Sequence, residues 1–245
     1  MRSPSELTVA VAPDQTTTAL VYQAEGRPGP FGPGGATLIL AHGAGAGQRS
    51  PFMTDFALAL SGLGLDVVTF NFLYTEQRRR APDRPPLLEA CYRAVIASVR
   101  GRADARKHLF NLFIGGKSMG GRIATQVAAA DRTAPVSGLV LLGYPLHPPG
   151  KPDQRRDAHL PRVDRPMLFV QGSRDAFGTP EELAPIVKAL DRATLQVVDG
   201  GDHSFKQTKK DPATQAAVYQ QIQRTIVEWI ASVIGMSAPA RHRSE

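Results

Sequence analysis

The feature that most restricts this chain is a succession of short aliphatic and β-branched runs: Leu7 to Val11, Thr18 to Tyr22, Thr37 to Ala41, Val67 to Phe70, Leu109 to Ile114, Leu139 to Leu142, Met167 to Val170 and Leu195 to Val198. Each has the length and composition of a strand. The first two follow one another as the arms of a hairpin would, whereas most later runs are separated by enough residues for a helix. The later runs are also apolar throughout instead of alternating, which is what a strand covered on both faces requires. An α/β fold is expected, with a mostly parallel sheet of eight strands, or seven, and helices on both faces.

Helix signals fall between those runs. Thr179-Pro180-Glu181-Glu182 supplies an N-cap hydroxyl, a proline at the first helical position and two carboxylates at the positive end of the helix dipole. Asp211-Pro212 repeats the device ahead of Val218, Ile222, Ile226, Trp229 and Ile230, an apolar stripe at spacings of three and four. After Pro85-Pro86, the residues Leu87, Leu88, Cys91, Val95, Ile96 and Val99 form a second stripe, so Cys91 is expected in the core and not as a nucleophile. Without an internal repeat or a linker, residues 5–236 are expected to form one domain, with a mobile basic tail over 237–245. The segment from Gly143 to Pro166, rich in proline and charge, reads as a long functional loop.

Composition removes several classes of function. With 42% hydrophobic and 21% charged residues among 245, the chain has enough apolar material for a core and is not of the disordered type. A single cysteine excludes an internal disulfide or a multi-thiolate zinc site and fits a reducing compartment. No signal-like or membrane-spanning stretch is evident, so a soluble cytoplasmic protein is expected. The formal charge of +7 comes mostly from dispersed arginines, apart from Arg78-Arg79-Arg80 and Arg241-His242-Arg243, and no aromatic and basic groove motif accompanies it. Neither nucleic acid nor a membrane is expected as a partner. No cofactor is expected either, and no histidine pair has the spacing of metal ligands.

The most specific local signal is Gly116-Lys117-Ser118-Met119-Gly120, a G-x-S-x-G sequence directly after an expected strand and before the helical stretch Ile123 to Ala130. A nucleophile on so sharp a turn needs small residues two before and two after it, because side chains there would collide. Phosphate-loop readings fail on spelling. The first glycine of a Walker A motif would fall on Asn111, and G-x-G-x-x-G starting at Gly43 would need glycine at Gln48.

A serine hydroxyl becomes nucleophilic only when a base takes its proton, and that base needs a carboxylate to orient it. His203, in the glycine-rich stretch Gly200-Gly201-Asp202-His203-Ser204 after the last strand, is the expected base. Asp175, just beyond the strand Met167 to Val170, is the expected carboxylate, with Asp202 as its rival. The chain order Ser118, Asp175, His203 suits this sheet topology. The oxyanion donors are expected to be the backbone N–H groups of Met119 and Ala44, the latter in the loop His42-Gly43-Ala44-Gly45-Ala46-Gly47. His42 then braces that loop. Phe52, Tyr74, Tyr144 and His147 are expected on loops at the mouth as substrate-binding residues. Arg78 is expected to face the entrance and to favour acyl groups bearing a carboxylate.

Together, Ala41-His42-Gly43-Ala44-Gly45, Gly115-Gly116-Lys117-Ser118-Met119-Gly120-Gly121-Arg122, Gly143-Tyr144-Pro145-Leu146-His147 and Gln171-Gly172-Ser173-Arg174-Asp175 resemble the α/β-hydrolase superfamily in its small dienelactone-hydrolase-like branch. Within that branch they resemble a group that includes an animal testis-expressed protein and a subunit of a chromatin-acetylating (non-specific lethal) complex. The resemblance spans nearly the whole chain and implies the fold and the catalytic machinery. Dienelactone hydrolases proper use cysteine where this sequence has Ser118, which implies ester or thioester hydrolysis instead. Only 24 residues lead from Gly143 to Met167, too few for a helical cap domain. The alternatives are a non-catalytic binding or scaffold protein on the same fold, and an acyltransferase or peptidase using the same triad.

Overall fold

A computed structural model describes residues 3–24, 30–31, 35–104, 111–208 and 211–237. Eight strands make one sheet: β1 (Ser5–Ala12), β2 (Gln15–Tyr22), β3 (Thr37–Ala41), β4 (Asp66–Phe70), β5 (Leu112–Lys117), β6 (Gly138–Leu142), β7 (Met167–Gly172) and β8 (Ala193–Val198). Their order is β1-β2-β4-β3-β5-β6-β7-β8. The pairs β1–β2 and β2–β4 are antiparallel and all others are parallel. This is the mostly parallel sheet expected from the continuously apolar runs, and β3, β5, β6 and β7 are buried along their whole length. The expected start of β5 at Leu109 and Phe110, and the tail from residue 238 onward, lie outside the described residues.

Two helical layers cover the sheet. On one side lie α3 (Pro85–Asp104), α4 (Met119–Ala130) and α5 (Pro180–Lys188), with Leu88, Cys91, Val95, Ile123, Val127 and Leu183 in a common core. The other side holds α1 (Pro51–Gly62) and α6 (Pro212–Ser237), whose Met53, Phe56, Leu60, Ile222, Ile226 and Ile230 pack on Leu38, Leu40, Phe113 and Val140. A one-turn helix, α2 (Leu73–Glu76), follows β4. Cys91 is fully buried, and burial pushes its thiol up to about 12, so it stays an unreactive core residue at neutral pH. At the start of α5, Thr179 Oγ1 accepts from the Glu182 N–H and the Glu182 carboxylate accepts from the Thr179 N–H, a complete capping box.

The strand order places the crevice. β3 lies between β4 and β5, so the chain leaving β3 heads one way and the chain leaving β5 the other, and their carboxyl ends diverge around an opening. Register brings Ala41 level with Gly116, Lys117 with Leu142, and Gly172 with Val198, so the loops after these strands emerge at one rim. Between β6 and β7 the chain forms loops and one 3-10 turn at Leu160–Arg162, with no cap domain.

Candidate active site

Ser118 sits between the last residue of β5 and the first of α4 with φ 51° and ψ −116°, a conformation that L residues rarely adopt. The surrounding glycines make this turn possible. A Cβ on Gly116 would lie 2.5 Å from the Ala41 carbonyl oxygen, and one on Gly120 would lie 2.4 Å from the same atom. The Ser118 N–H donates to Leu142 O at 2.9 Å and the Ser118 carbonyl accepts from the Arg122 N–H at 3.1 Å, so both strand and helix hold the turn.

From that turn the Ser118 hydroxyl meets His203 Nε2 at 2.8 Å. On the other edge of the ring, Nδ1 lies 2.7 Å from Asp175 Oδ2 and 2.9 Å from Oδ1. Asp175 is completely buried, and each of its oxygens has a further donor: Phe177 N–H at 2.8 Å to Oδ1 and Gln171 Nε2 at 2.9 Å to Oδ2. Such partners fix a buried carboxylate in one orientation. Phe177 stacks on the His203 ring with centroids 4.2 Å apart. Asp202 does not take Asp175's place. It turns away and accepts from the Ser204 and Lys206 N–H groups, which shapes the loop carrying His203.

Above Ser118 the loop after β3 passes close enough that a Cβ on Gly43 would contact the Ser118 Cβ at 3.5 Å. Ala44 and Met119 line the same pocket as Ser118. Among the described residues, neither of their amides donates to a protein acceptor, leaving two N–H groups for a ligand oxygen. The loop is braced from below. His42 is fully buried, its Nδ1 lies 2.8 Å from Gly43 O, and Nε2 accepts from the Phe72 N–H at 3.2 Å. Those partners define a neutral ring protonated at Nδ1, and burial lowers its pKa against the opposing pull of the Gly43 carbonyl and Glu76. Gln48 ties the far end of the loop to Asn71 Oδ1 at 2.9 Å and to Thr18 Oγ1 at 2.8 Å.

The pocket encloses about 740 Å³, with Phe52, Leu88, Pro145 and Phe177 among its apolar walls. Of the five expected substrate-binding residues, Phe52 alone lines it, and it does so from the first turn of α1, not from a loop. Tyr74 is buried in α2 beside Phe72 and His42. Tyr144 is buried against Phe169, and its hydroxyl donates to Arg156 O at 2.7 Å. His147 is buried and pairs with Glu182 at 3.2 Å. Arg78 is exposed, in a left-handed conformation at φ 54°, away from the pocket lining. These four side chains leave the correct rim of the sheet, but local packing turns them elsewhere.

Three further pocket residues were not singled out from the sequence as site residues. Lys117, beside Ser118, is buried with Nζ 5.9 Å from the rings of both Phe52 and Phe205. Burial drives its pKa down to about 8, against the opposing pull of Asp175 and Asp202. Arg122 and Arg156 also line the pocket. Among the described residues no group of three or more His, Cys, Asp or Glu side chains is arranged to hold a metal, and no helix is long and apolar enough to cross a membrane.

The sequence profile of the alpha/beta hydrolase domain matches residues 34–231. The chain belongs to the α/β-hydrolase family. Solved α/β-hydrolases share its fold at low identity. A serine hydrolase homologue from Coxiella burnetii is 19% identical with a TM-score of 0.69, covering 93% of this chain and 98% of its own. A serine hydrolase without a lid from Xanthomonas campestris is 21% identical with a TM-score of 0.67, over 98% and 97% of the two chains. A dienelactone hydrolase from Anabaena variabilis is 21% identical with a TM-score of 0.65, over 93% and 99%. Within the α/β-hydrolase family this chain has loops and one 3-10 turn between β6 and β7 in place of a cap domain.

Proposed function

We propose that the protein is a serine hydrolase that cleaves carboxylic esters or thioesters through an acyl-enzyme. The observation that carries this reading is the unbroken chain from Ser118 Oγ through His203 to Asp175, with separations of 2.8 and 2.7 Å, at a pocket holding two unengaged backbone amides. In the reaction His203 Nε2 takes the hydroxyl proton as Ser118 Oγ attacks the carbonyl carbon. The Met119 and Ala44 N–H groups stabilise the oxyanion, and His203 then hands its proton to the departing alcohol or thiol. Water, deprotonated by the same ring, releases the acid and restores Ser118. Asp175 keeps Nδ1 protonated and stabilises the imidazolium without taking its proton.

The test is turnover of a panel of p-nitrophenyl esters and acyl thioesters, with fluorophosphonate labelling read by mass spectrometry. Wild type is expected to turn over and to label on Ser118. Ser118→Ala is expected to lose both with a melting temperature within a few degrees, because alanine meets the same backbone constraint. Full ester turnover by Ser118→Ala overturns the assignment.

A further inference from the structure

Arg122 and Arg156 stand at a shared wall. On one side they line the pocket that contains Ser118; on the other they line a second cleft of about 360 Å³, together with Gln126, Arg155, Ala158, His159 and Arg162. No carboxylate lines that cleft among the described residues. The nearest acids are already engaged: Asp157 pairs with Arg155 at 2.6 Å, and Glu89 pairs with Arg93 at 3.3 Å. Asp55 and Asp83 lie on the catalytic pocket, and Asp83 is paired with Arg79. That leaves Arg122, Arg156 and Arg162 without an ion pair among the described residues.

Partly buried positive charge without a counter-charge is costly, and the structure shows the strain. The Arg122 Nε–H is buried and has no hydrogen-bond partner. Burial and then the neighbouring Arg156 lower the Arg122 pKa, and His159 is held down to about 4 by burial, Arg122 and Arg162. Both wall residues are nevertheless fixed in place. Arg122 lies one turn along α4 from the nucleophile, and the Arg156 backbone is pinned by its N–H on Leu146 O at 2.8 Å and by the Tyr144 hydroxyl on its carbonyl at 2.7 Å. Guanidinium groups gathered in this way match an oxyanion. Two partly buried arginines and the exposed Arg162, none in an ion pair among the described residues, suit a phosphate dianion or a diphosphate.

We propose that Arg122, Arg156 and Arg162 form a subsite that binds a phosphate group carried by the substrate, adjoining the pocket that contains Ser118. This inference rests on the hydrolase reading for its place in the reaction, although the subsite itself can be tested without turnover. Pyrophosphate titrated calorimetrically into the wild-type protein at low ionic strength is expected to bind saturably and more tightly than succinate. Affinity is expected to fall by about tenfold or more in Arg122→Gln and in Arg156→Gln, and to stay within about twofold in Arg224→Gln, an exposed arginine on α6. Circular dichroism checks folding, and Arg156→Gln carries the test if Arg122→Gln does not fold.

In the kinetic arm, pyrophosphate is expected to inhibit hydrolysis of a phosphate-bearing acyl thioester competitively, with an inhibition constant equal to the calorimetric Kd. The proposal is overturned by absent saturable binding, by succinate binding as tightly as pyrophosphate, or by equal weakening in Arg224→Gln. It is also overturned by non-competitive inhibition. If binding depends on the wall arginines while no ester is hydrolysed, the subsite stands and the hydrolase reading fails. Hydrolysis without pyrophosphate binding gives the reverse.

Discussion

Two histidines flank Ser118, and the regions around them are built to opposite ends. His203 lies at the pocket, about a fifth exposed, with one ring nitrogen on a hydroxyl and the other on a buried carboxylate. His42 lies under the loop after β3, fully buried, with Nδ1 on Gly43 O, Nε2 on the Phe72 N–H and beside the Thr75 hydroxyl, and with no carboxylate hydrogen-bonded to its ring among the described residues. In the proposed reaction the first arrangement passes a proton between Ser118 and the leaving group while Asp175 stabilises the imidazolium. The second makes protonation unfavourable and turns the imidazole into a rigid crosspiece between Gly43 and Phe72. The same side chain thus serves chemistry in one place and architecture in the other, and the partners of its two nitrogens decide which.

The largest effect that can break this contrast is on rate. His203→Ala is expected to lower kcat for ester hydrolysis by about 10⁴-fold with the fold retained, because the buried Asp175 keeps its bonds from Gln171 Nε2 and the Phe177 N–H. A drop of less than about tenfold would remove His203 from the role of base.

The opposite profile is expected of His42→Ala. Removing a fully buried ring leaves a cavity and strands the Phe72 N–H, so stability in urea should fall by about 3 kcal/mol. The accompanying loss of kcat should be far smaller than for His203→Ala. A variant as stable as wild type would show that the loop after β3 does not depend on this crosspiece.

Lys117 sharpens the comparison on the His203 side. Its folded pKa of about 8 lies below the value of 10.5 for an unburied lysine, so the unfolded chain binds more protons between those pH values and stability from this group rises with pH. The cost of burying the ammonium is present in full below about pH 8 and is relieved toward pH 10.5. Between pH 8 and 10 the stability of wild type relative to Lys117→Met should therefore rise by about 2 kcal/mol, measured as urea midpoints at each pH. A flat difference across that range would mean that Lys117 titrates as an exposed lysine does.

The sequence points to the serine, histidine and carboxylate that the fold brings within hydrogen-bond distance, and the particular residues explain why. The turn at Ser118 is readable because glycines at 116 and 120 answer a steric demand that almost nothing else answers. Asp175 and His203 are readable because the chemistry of a serine nucleophile requires them and each follows a strand whose end reaches the same rim. By contrast α1 was not anticipated: Ser50 makes no side-chain cap bond and no acidic residue marks the first turn, so only Pro51 announces it. Tyr74, Tyr144, His147 and Arg78 follow the right strands and still miss the pocket, because a loop side chain goes wherever its own packing and hydrogen bonds take it.

What the sequence determined alone is therefore the frame: continuously apolar strands that must be covered on both faces, helix starts written in caps and prolines, and a turn at Ser118 that needs glycine two residues before and two after it. These are local demands, settled within a few residues of where they arise. The tertiary structure decided which charges meet. Arg122 and Arg156 stand 34 positions apart, and Lys117 is desolvated by Phe52 and Phe205 from two other elements. Electrostatic energy depends on distance and burial in space, and neither can be read from the order of residues along the chain.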